Sequence, residues 1–600
     1  MSTAELQALS PIGYRVAMPD PGSHEFHLEM QVPALPERAT AELVFPAWAP
    51  GSYLVRDFVR HLYGLAITDE RGKPLPHERL DKQRWRVSSG GRAFRVRYRV
   101  FAFEQSVRTS FLDSSHGYWN GTSLFFYVDG ELERPCEVAV QRPPRTRWHI
   151  DTALVGVAGR PDHYRAASFD ELVDSPFEVG EHARSTFTAG GTRFDVALYG
   201  RHNADATRLR QILRRVVLAT AQMFGGGFPF RRYLFIIHAL PIGSGGLEHR
   251  ASVTMDIAGL SFEDDGGYQR FADLAAHEFF HAWNVKRIRD TVLGPFDYTR
   301  ENYTRLLWFH EGFTDYLANL IILRAGVIDQ KRFWRFIAED WPKYAGRPGR
   351  NQTPLDELSF EAWIKLYKPA ENHINRTVSY YEKGLWAGMA LDLILRGKSR
   401  GRRGLPELFA RLWTDFGRHD RPITERDVRA AATQVARAPM DAFFRRYIHG
   451  TDELPLLALL RTAGLAVSER SEWALEADKP ADERDRVRAR RLRAWTGIAL
   501  HPDRLAVRNV VPDSPAWRAG LTFGDEIVAV DGQRVTPASF AKRIGDRDPG
   551  DRCSVTYFRR DQLQTATLTL VESPERKLLV KPDPAAKKEA LAIRRGWLGV

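Results

Sequence analysis

At 600 residues the chain is too long for one hydrophobic core, and a content of 43% hydrophobic and 27% charged residues is that of a soluble globular protein of about three domains. Only two cysteines, Cys136 and Cys553, lie far apart, which excludes a disulfide framework and suits a reducing compartment. The formal net charge of +12 is carried by arginines scattered along the chain, with clusters at Arg400, Arg402 and Arg403 and from Arg484 to Arg493; no nucleic-acid module accompanies them, so a solvated basic surface is expected.

Met1–Gln7 has neither a basic segment nor an apolar run, and no later stretch is long and apolar enough to span a bilayer, so a cytoplasmic chain without a membrane span is expected. From Tyr14 to about Val140 short segments of alternating polarity recur, such as His24–Met30 and Phe94–Val100, separated by proline and glycine turns. Period two over many short runs predicts an antiparallel β-sandwich. Pro46–Phe58, with two prolines and a glycine among aromatic and charged residues, reads as a loop that packs against the next domain or lines its cleft.

Around Ser168–Gly180 the pattern changes. Leu209, Ile212, Leu213, Val216 and Val217 recur at helical spacing until Gly225-Gly226-Gly227, and Tyr233–Ile237 follows as a buried strand. It leads to Gly243-Ser244-Gly245-Gly246-Leu247-Glu248-His249. A sheet edge there holds a substrate backbone by strand addition, Gly245 and Gly246 allow its close approach, and Glu248 pairs with its α-ammonium group.

In Ala275–Asn284, His277 and His281 lie four residues apart and project from one face of a helix, with Glu278 beside them. This H-E-x-x-H spacing offers two neutral imidazoles to Zn²⁺ and a carboxylate placed to take a proton from the metal-bound water. A catalytic zinc needs a third protein ligand. Leu306–Leu323 reads as a second helix, and Glu311, among apolar and small neighbours, is the expected third ligand of one zinc per chain. Asp315, one turn on, is expected to accept the free N–H of a zinc histidine.

Ser379-Tyr380-Tyr381-Glu382-Lys383-Gly384 opens another amphipathic helix. Tyr380, Tyr381 or His373 can donate to the oxyanion formed when water attacks a peptide carbonyl, and spacing does not choose among them. Ser468–Arg493 is charged and polar, an exposed linker or helix. From Trp495 a compact β-rich unit follows, with Ser514-Pro515-Ala516 before a small helix and Ile527–Val530 before an Asp531-Gly532 turn, which fits a peptide-binding domain.

These motifs together resemble the glycyl aminopeptidases, PDZ-carrying zinc metallopeptidases of the gluzincin group. The similarity rests on His277-Glu278-x-x-His281 with Ala282–Arg287, on Trp308-x-x-Glu311-Gly312-Phe313-Thr314, on Gly245–His249 and on Tyr381–Gly384. The Trp48–Phe58 loop resembles the family's N-terminal domain, and Ser514–Gly532 a PDZ domain. The resemblance implies a multidomain fold: an N-terminal antiparallel β-sandwich (1–170), a thermolysin-like, mainly helical α+β catalytic domain (171–455), a helical, charged linker (456–490), a C-terminal PDZ domain (491–575) and a tail (576–600).

It further implies a zinc-dependent aminopeptidase removing N-terminal residues from peptides, small ones such as Gly and Ala favoured. Glu311 is then the third ligand, Tyr381 the oxyanion donor and Glu248 the amine anchor. Thr496, Gly497 and Ile498 are the expected PDZ groove, with a C-terminal peptide as ligand. Two features differ from the larger gluzincin aminopeptidases: 29 residues separate His281 from Glu311, and Leu247-Glu248-His249 stands in place of Met-Glu-Asn. A PDZ-directed zinc endopeptidase and a non-catalytic peptide-binding adaptor are the alternatives. The chain's own end, Leu598-Gly599-Val600, has the apolar-x-apolar form that PDZ grooves accept, so the tail is expected either in such a groove or packed on the domain through Trp597 and Leu598.

Overall fold

The structure is a computed structural model that describes residues 9–478 and 493–599; Met1–Gln7, the arginines from Arg484 to Arg491 and Val600 lie outside the described residues. The chain divides into two compact units, the first comprising Met1–Thr304, Leu317–Val327 and Phe409–Val428, the second Arg305–Tyr316, Ile328–Leu408 and Arg429–Val600.

In the first unit the alternating segments form the N-terminal β-sandwich. Ile12–Ala17 runs parallel to Cys136–Gln141 and antiparallel to Glu25–Val32, which pairs in turn with Phe94–Phe101 in a seven-stranded sheet. Tyr14, Val16, Phe26, Leu28, Val96 and Tyr98 face inward and meet Trp85, Trp119 and Phe126 in one core. A four-stranded sheet at its side contains β1 (His116–Trp119) and β2 (Phe177–Gly180).

A five-stranded sheet follows. Its members β3 (Thr192–Gly200), β4 (Arg232–Leu240) and β6 (Ser252–Ala258) are parallel, while β5 (Ser244–Glu248) is antiparallel to β6 and forms the edge. Tyr233–Ile237 of β4 is completely buried, as a central parallel strand covered on both faces should be. Between β3 and β4, α1 (Ala206–Gln222) is capped by Asp205 and buries Leu209, Ile212, Leu213, Val216 and Val217. After β6, α2 (Asp265–Phe280) starts at Asp264, whose side chain accepts from Gly267 N. It buries Tyr268, Phe271, Ala275 and Phe279 and packs against α1, β5 and β6, which places its last turn over the edge strand.

In the second unit a π-helical turn, Trp308–Gly312, runs into the first turn of α3 (Phe313–Arg324), whose residues from Leu317 on belong to the first unit. It crosses α4 (Tyr380–Ser399), whose N-cap is Ser379. The crossing is made where two glycines face each other: a Cβ on Gly312 would lie 2.5 Å from Gly384 Cα, so neither position accepts a side chain.

Further on, α5 (Leu456–Thr462) leads into β7 (Leu465–Ser471). The PDZ-like unit then has its own core of Val507, Ile527, Val530, Phe540, Ile544 and Val555. Its strand β8 (Ile498–Leu500) pairs with β9 (Val507–Val510). Beyond it, β10 (Arg576–Pro582) returns to pair antiparallel with β7, and α6 (Lys588–Leu598) packs on α4 and α5.

The segment expected to be a tail is therefore strand and helix as far as Leu598. Trp597 is 0% exposed, donates from Nε1 to Tyr316 Oη at 2.7 Å and packs edge-on to Phe333. A buried tryptophan with its N–H satisfied is a stronger anchor than a free terminus lying in a groove.

Candidate active site

The last turn of α2 carries His277, Glu278 and His281. The two Nε2 atoms are 3.0 Å apart, with the rings at 84°. His281 Nδ1 donates to the Asn284 carbonyl at 2.6 Å, so Nε2 of the neutral ring presents a lone pair toward His277. Asn284 belongs to the tight turn closing α2, where Arg287 Nη1 donates to the Ala282 carbonyl.

Glu278 is buried against the edge strand. A Cβ at position 246 would fall 2.4 Å from its Oε1, so the β5 backbone passes directly over the carboxylate and only glycine fits. Gly246→Ala is expected to displace Glu278 and cost about 10²-fold in turnover, the effect of roughly 1 Å of misplacement. Steady-state kinetics on a short peptide checks this; a loss below threefold would contradict it.

Glu248 ends β5, 4% exposed, and its carboxylate, that of Glu278 and a His281 nitrogen lie within 4.8 Å of one another. Its Oε1 has no hydrogen-bond partner among the described residues. Gly51, at φ +86°, lies against it, since a Cβ there would be 2.6 Å from Oε1. The Trp48–Phe58 loop thus closes the end of the edge strand, and it is held there by Trp48 Nε1, which donates to the Asp297 carbonyl at 2.9 Å. Glu248, Gly51, Tyr53, Lys286 and Tyr298 line a cavity of about 440 Å³. Past Glu248 the chain is tied down by Asp174, which accepts from Lys286 Nζ at 2.8 Å and from Arg250 N at 2.8 Å.

In the second unit Glu311 is buried on the π-turn and Asp315 is half-buried at the start of α3. Single π-turns inside helices are common at functional sites. Tyr380 is wholly buried and Tyr381 half-buried. The Tyr367 hydroxyl lies 3.0 Å from that of Tyr380 and 3.4 Å from that of Tyr381. Burial, then the carboxylate of Glu311 and the two neighbouring tyrosines, push Tyr381 well above the ordinary tyrosine range. Its hydroxyl therefore stays protonated and able to donate at any physiological pH.

In the PDZ-like unit Thr496 Oγ1 accepts from Ile498 N at 3.2 Å, and Gly497, at φ +80°, is pressed on Ser514 so closely that no Cβ fits. Ile498 begins β8, whose second edge bears no partner strand among the described residues.

The first unit thus brings Gly245, Gly246, Glu248, His277, Glu278 and His281 together, and the second brings Glu311 beside Tyr381. Sequence reasoning assigned no role to Gly51, Asn284 or Tyr367. Asn284 acts through its backbone carbonyl and Tyr367 through proximity made by the fold, so neither left a signal; Pro50-Gly51 did stand out as a turn.

Family models match as follows: the peptidase M61 N-terminal domain over residues 13–181, the M61 glycyl aminopeptidase over 270–386 and a PDZ domain over 481–570. An aminopeptidase N family protein from Idiomarina loihiensis superposes with a TM-score of 0.87 at 31% identity, covering 98% of this chain and 100% of that one. An M1 zinc metallopeptidase from Deinococcus radiodurans gives a TM-score of 0.47 at 15% identity, covering 75% of this chain and 95% of that one. A probable periplasmic serine endoprotease, DegP-like, from Brucella suis is 28% identical over 100 residues, 14% of this chain and 20% of that protein's length. The fold is that of a peptidase family built from a β-sandwich, a helical catalytic region and a PDZ domain. The chain belongs to the M61 glycyl aminopeptidase family. No helix among the described residues is long and apolar enough to cross a membrane.

Proposed function

We propose that this chain is a zinc-dependent aminopeptidase that removes N-terminal residues, small ones such as glycine and alanine favoured, from peptides in the cytoplasm. The observation that carries this reading is the closed end of the edge strand, where Gly51 lies against an otherwise unpartnered Glu248 carboxylate oxygen. A peptide added beside β5 would pass Gly245 and Gly246 and present its α-ammonium group to Glu248, with no room to continue.

His277, His281 and Glu311 are the proposed donor set, two imidazoles and one carboxylate, which by residue type suits one Zn²⁺ per chain. The lone pair that His281 Nε2 turns to His277 supports that fit. With the rear nitrogen of His281 on the Asn284 carbonyl, Asp315 is the proposed orienting group for His277. When bound, the zinc ion supplies a Lewis acid at the scissile carbonyl and lowers the proton affinity of a water molecule. Glu278 takes that water's proton and later passes it to the leaving amine. Tyr381 donates its hydroxyl proton in a hydrogen bond to the developing oxyanion. Thr496, Gly497 and Ile498, at the start of a β8 edge without a partner strand among the described residues, take the C-terminal peptide of a PDZ ligand.

The test is a Gly- or Ala-initiated peptide run beside its N-acetylated twin. Cleavage of the free peptide alone is expected, and cleavage of both would replace this reading with an endopeptidase. Tyr381→Phe is expected to lower kcat about 10²-fold while KM moves little, because its hydrogen bond strengthens only in the transition state. A rise in KM at constant kcat would assign Tyr381 to substrate binding instead.

A further inference from the structure

Away from this site, three imidazoles converge on one buried carboxylate where β1 and β2 of the sandwich face β4 and β6. Glu178 on β2 is completely buried. His238 Nε2, from β4, lies 3.0 Å from Glu178 Oε2, and His182 Nδ1 lies 3.8 Å from Oε1. His116, from β1, closes the group: one donor atom each of His116, Glu178 and His238 lie within 4.8 Å of one another.

The rear nitrogen of each ring is already held. His116 Nδ1 is 3.3 Å from Ser115 Oγ, whose own proton goes to Asp113 Oδ1 at 2.5 Å, so the serine accepts from the ring. His182 Nε2 is 2.7 Å from Asp151 Oδ2. His238 Nδ1 is 3.0 Å from Asp256 Oδ1, with the Gln105 amide 3.1 Å away. Imidazoles backed in this way by carboxylates and hydroxyls are the arrangement found behind metal-ligating histidines.

What remains faces inward. His116 Nε2, His182 Nδ1 and Glu178 Oε1 are buried and have no hydrogen-bond partner among the described residues. With each neutral ring's proton on its rear nitrogen, all three are acceptors, and a water molecule has two protons to offer three acceptors. A cation satisfies every one of them.

We propose that His116, Glu178 and His238, with His182 as a fourth donor, form a second divalent-metal site that takes an imidazole-preferring ion such as Zn²⁺ and fastens the sandwich to the catalytic sheet. The donor set excludes the hard, oxygen-seeking ions Ca²⁺ and Mg²⁺.

The test uses the full chain with His277→Ala and His281→Ala, loaded with Zn²⁺, desalted and assayed for metal by mass spectrometry. One zinc per chain is expected to remain, and adding either His116→Ala or Glu178→Gln is expected to remove it with the circular dichroism spectrum unchanged. Co²⁺ in place of Zn²⁺ should give visible absorption bands in the first protein and lose them in the second. A fully folded His277→Ala/His281→Ala protein that binds no zinc overturns the proposal, as does zinc that survives both added substitutions.

Discussion

Glu278→Gln is expected to abolish turnover by about 10⁴-fold, the upper end for a general base, because the same carboxylate serves as acid in the second half of the reaction. The amide keeps the shape and stays within reach of Gly246, so the pocket over β5 remains filled. It cannot accept a proton. Zinc content should be unchanged, since the proposed ligands are His277, His281 and Glu311, and substrate affinity should change little. Single-turnover kinetics together with metal analysis separates the cases. Near-native turnover would remove Glu278 from the chemistry, whereas lost zinc would mean that it binds the metal.

Trp597→Ala is expected to destabilise the second unit by about 3–5 kcal/mol, the usual cost of deleting a large buried aromatic. The substitution also removes the donor to Tyr316, whose hydroxyl accepts from Trp597 Nε1 and donates to Asp392 Oδ2 at 2.5 Å. Tyr316 stands next to Asp315 on α3, so activity should fall along with stability. Urea unfolding followed by tryptophan fluorescence and by residual peptidase activity measures both, and a shift under 1 kcal/mol would show that α6 is a passenger. Trp597→Phe, which keeps a ring against Phe333 and Trp334, should recover part of the loss.

The H-E-x-x-H residues were legible because His277, Glu278 and His281 stand at helical spacing, and the sandwich because one buried face imposes period two on each strand. Less legible was anything set by backbone. The carbonyl of Asn284 has no side-chain signature, and Gly51 meets Glu248 only because two distant segments fold together. The two glycines at the π-turn crossing, Gly312 and Gly384, stood inside recognisable motifs, yet the reason for them is an interhelical approach that no single segment contains. The chain's end left two outcomes open for a physical reason: apolar residues there suit a groove and a core equally well, and the partners that take up Trp597, Phe333 and Tyr316, lie on other helices. His116, His182 and His238 lie far apart in the sequence and share no motif. Only the fold gathers them.

Ser471 and Arg576 sit opposite each other at the end of the β7–β10 ladder, so the whole PDZ excursion leaves and re-enters the catalytic unit at one point, about 5 Å wide. Such a segment is a cassette. Replacing residues 472–575 by an Asn-Gly hairpin turn would cut no strand of the catalytic region and would give up the buried Asn375–Asn509 pair. Short peptides should still be hydrolysed by that trimmed enzyme, and a foreign binding module of any fold whose termini meet could be grafted at the same seam to redirect it.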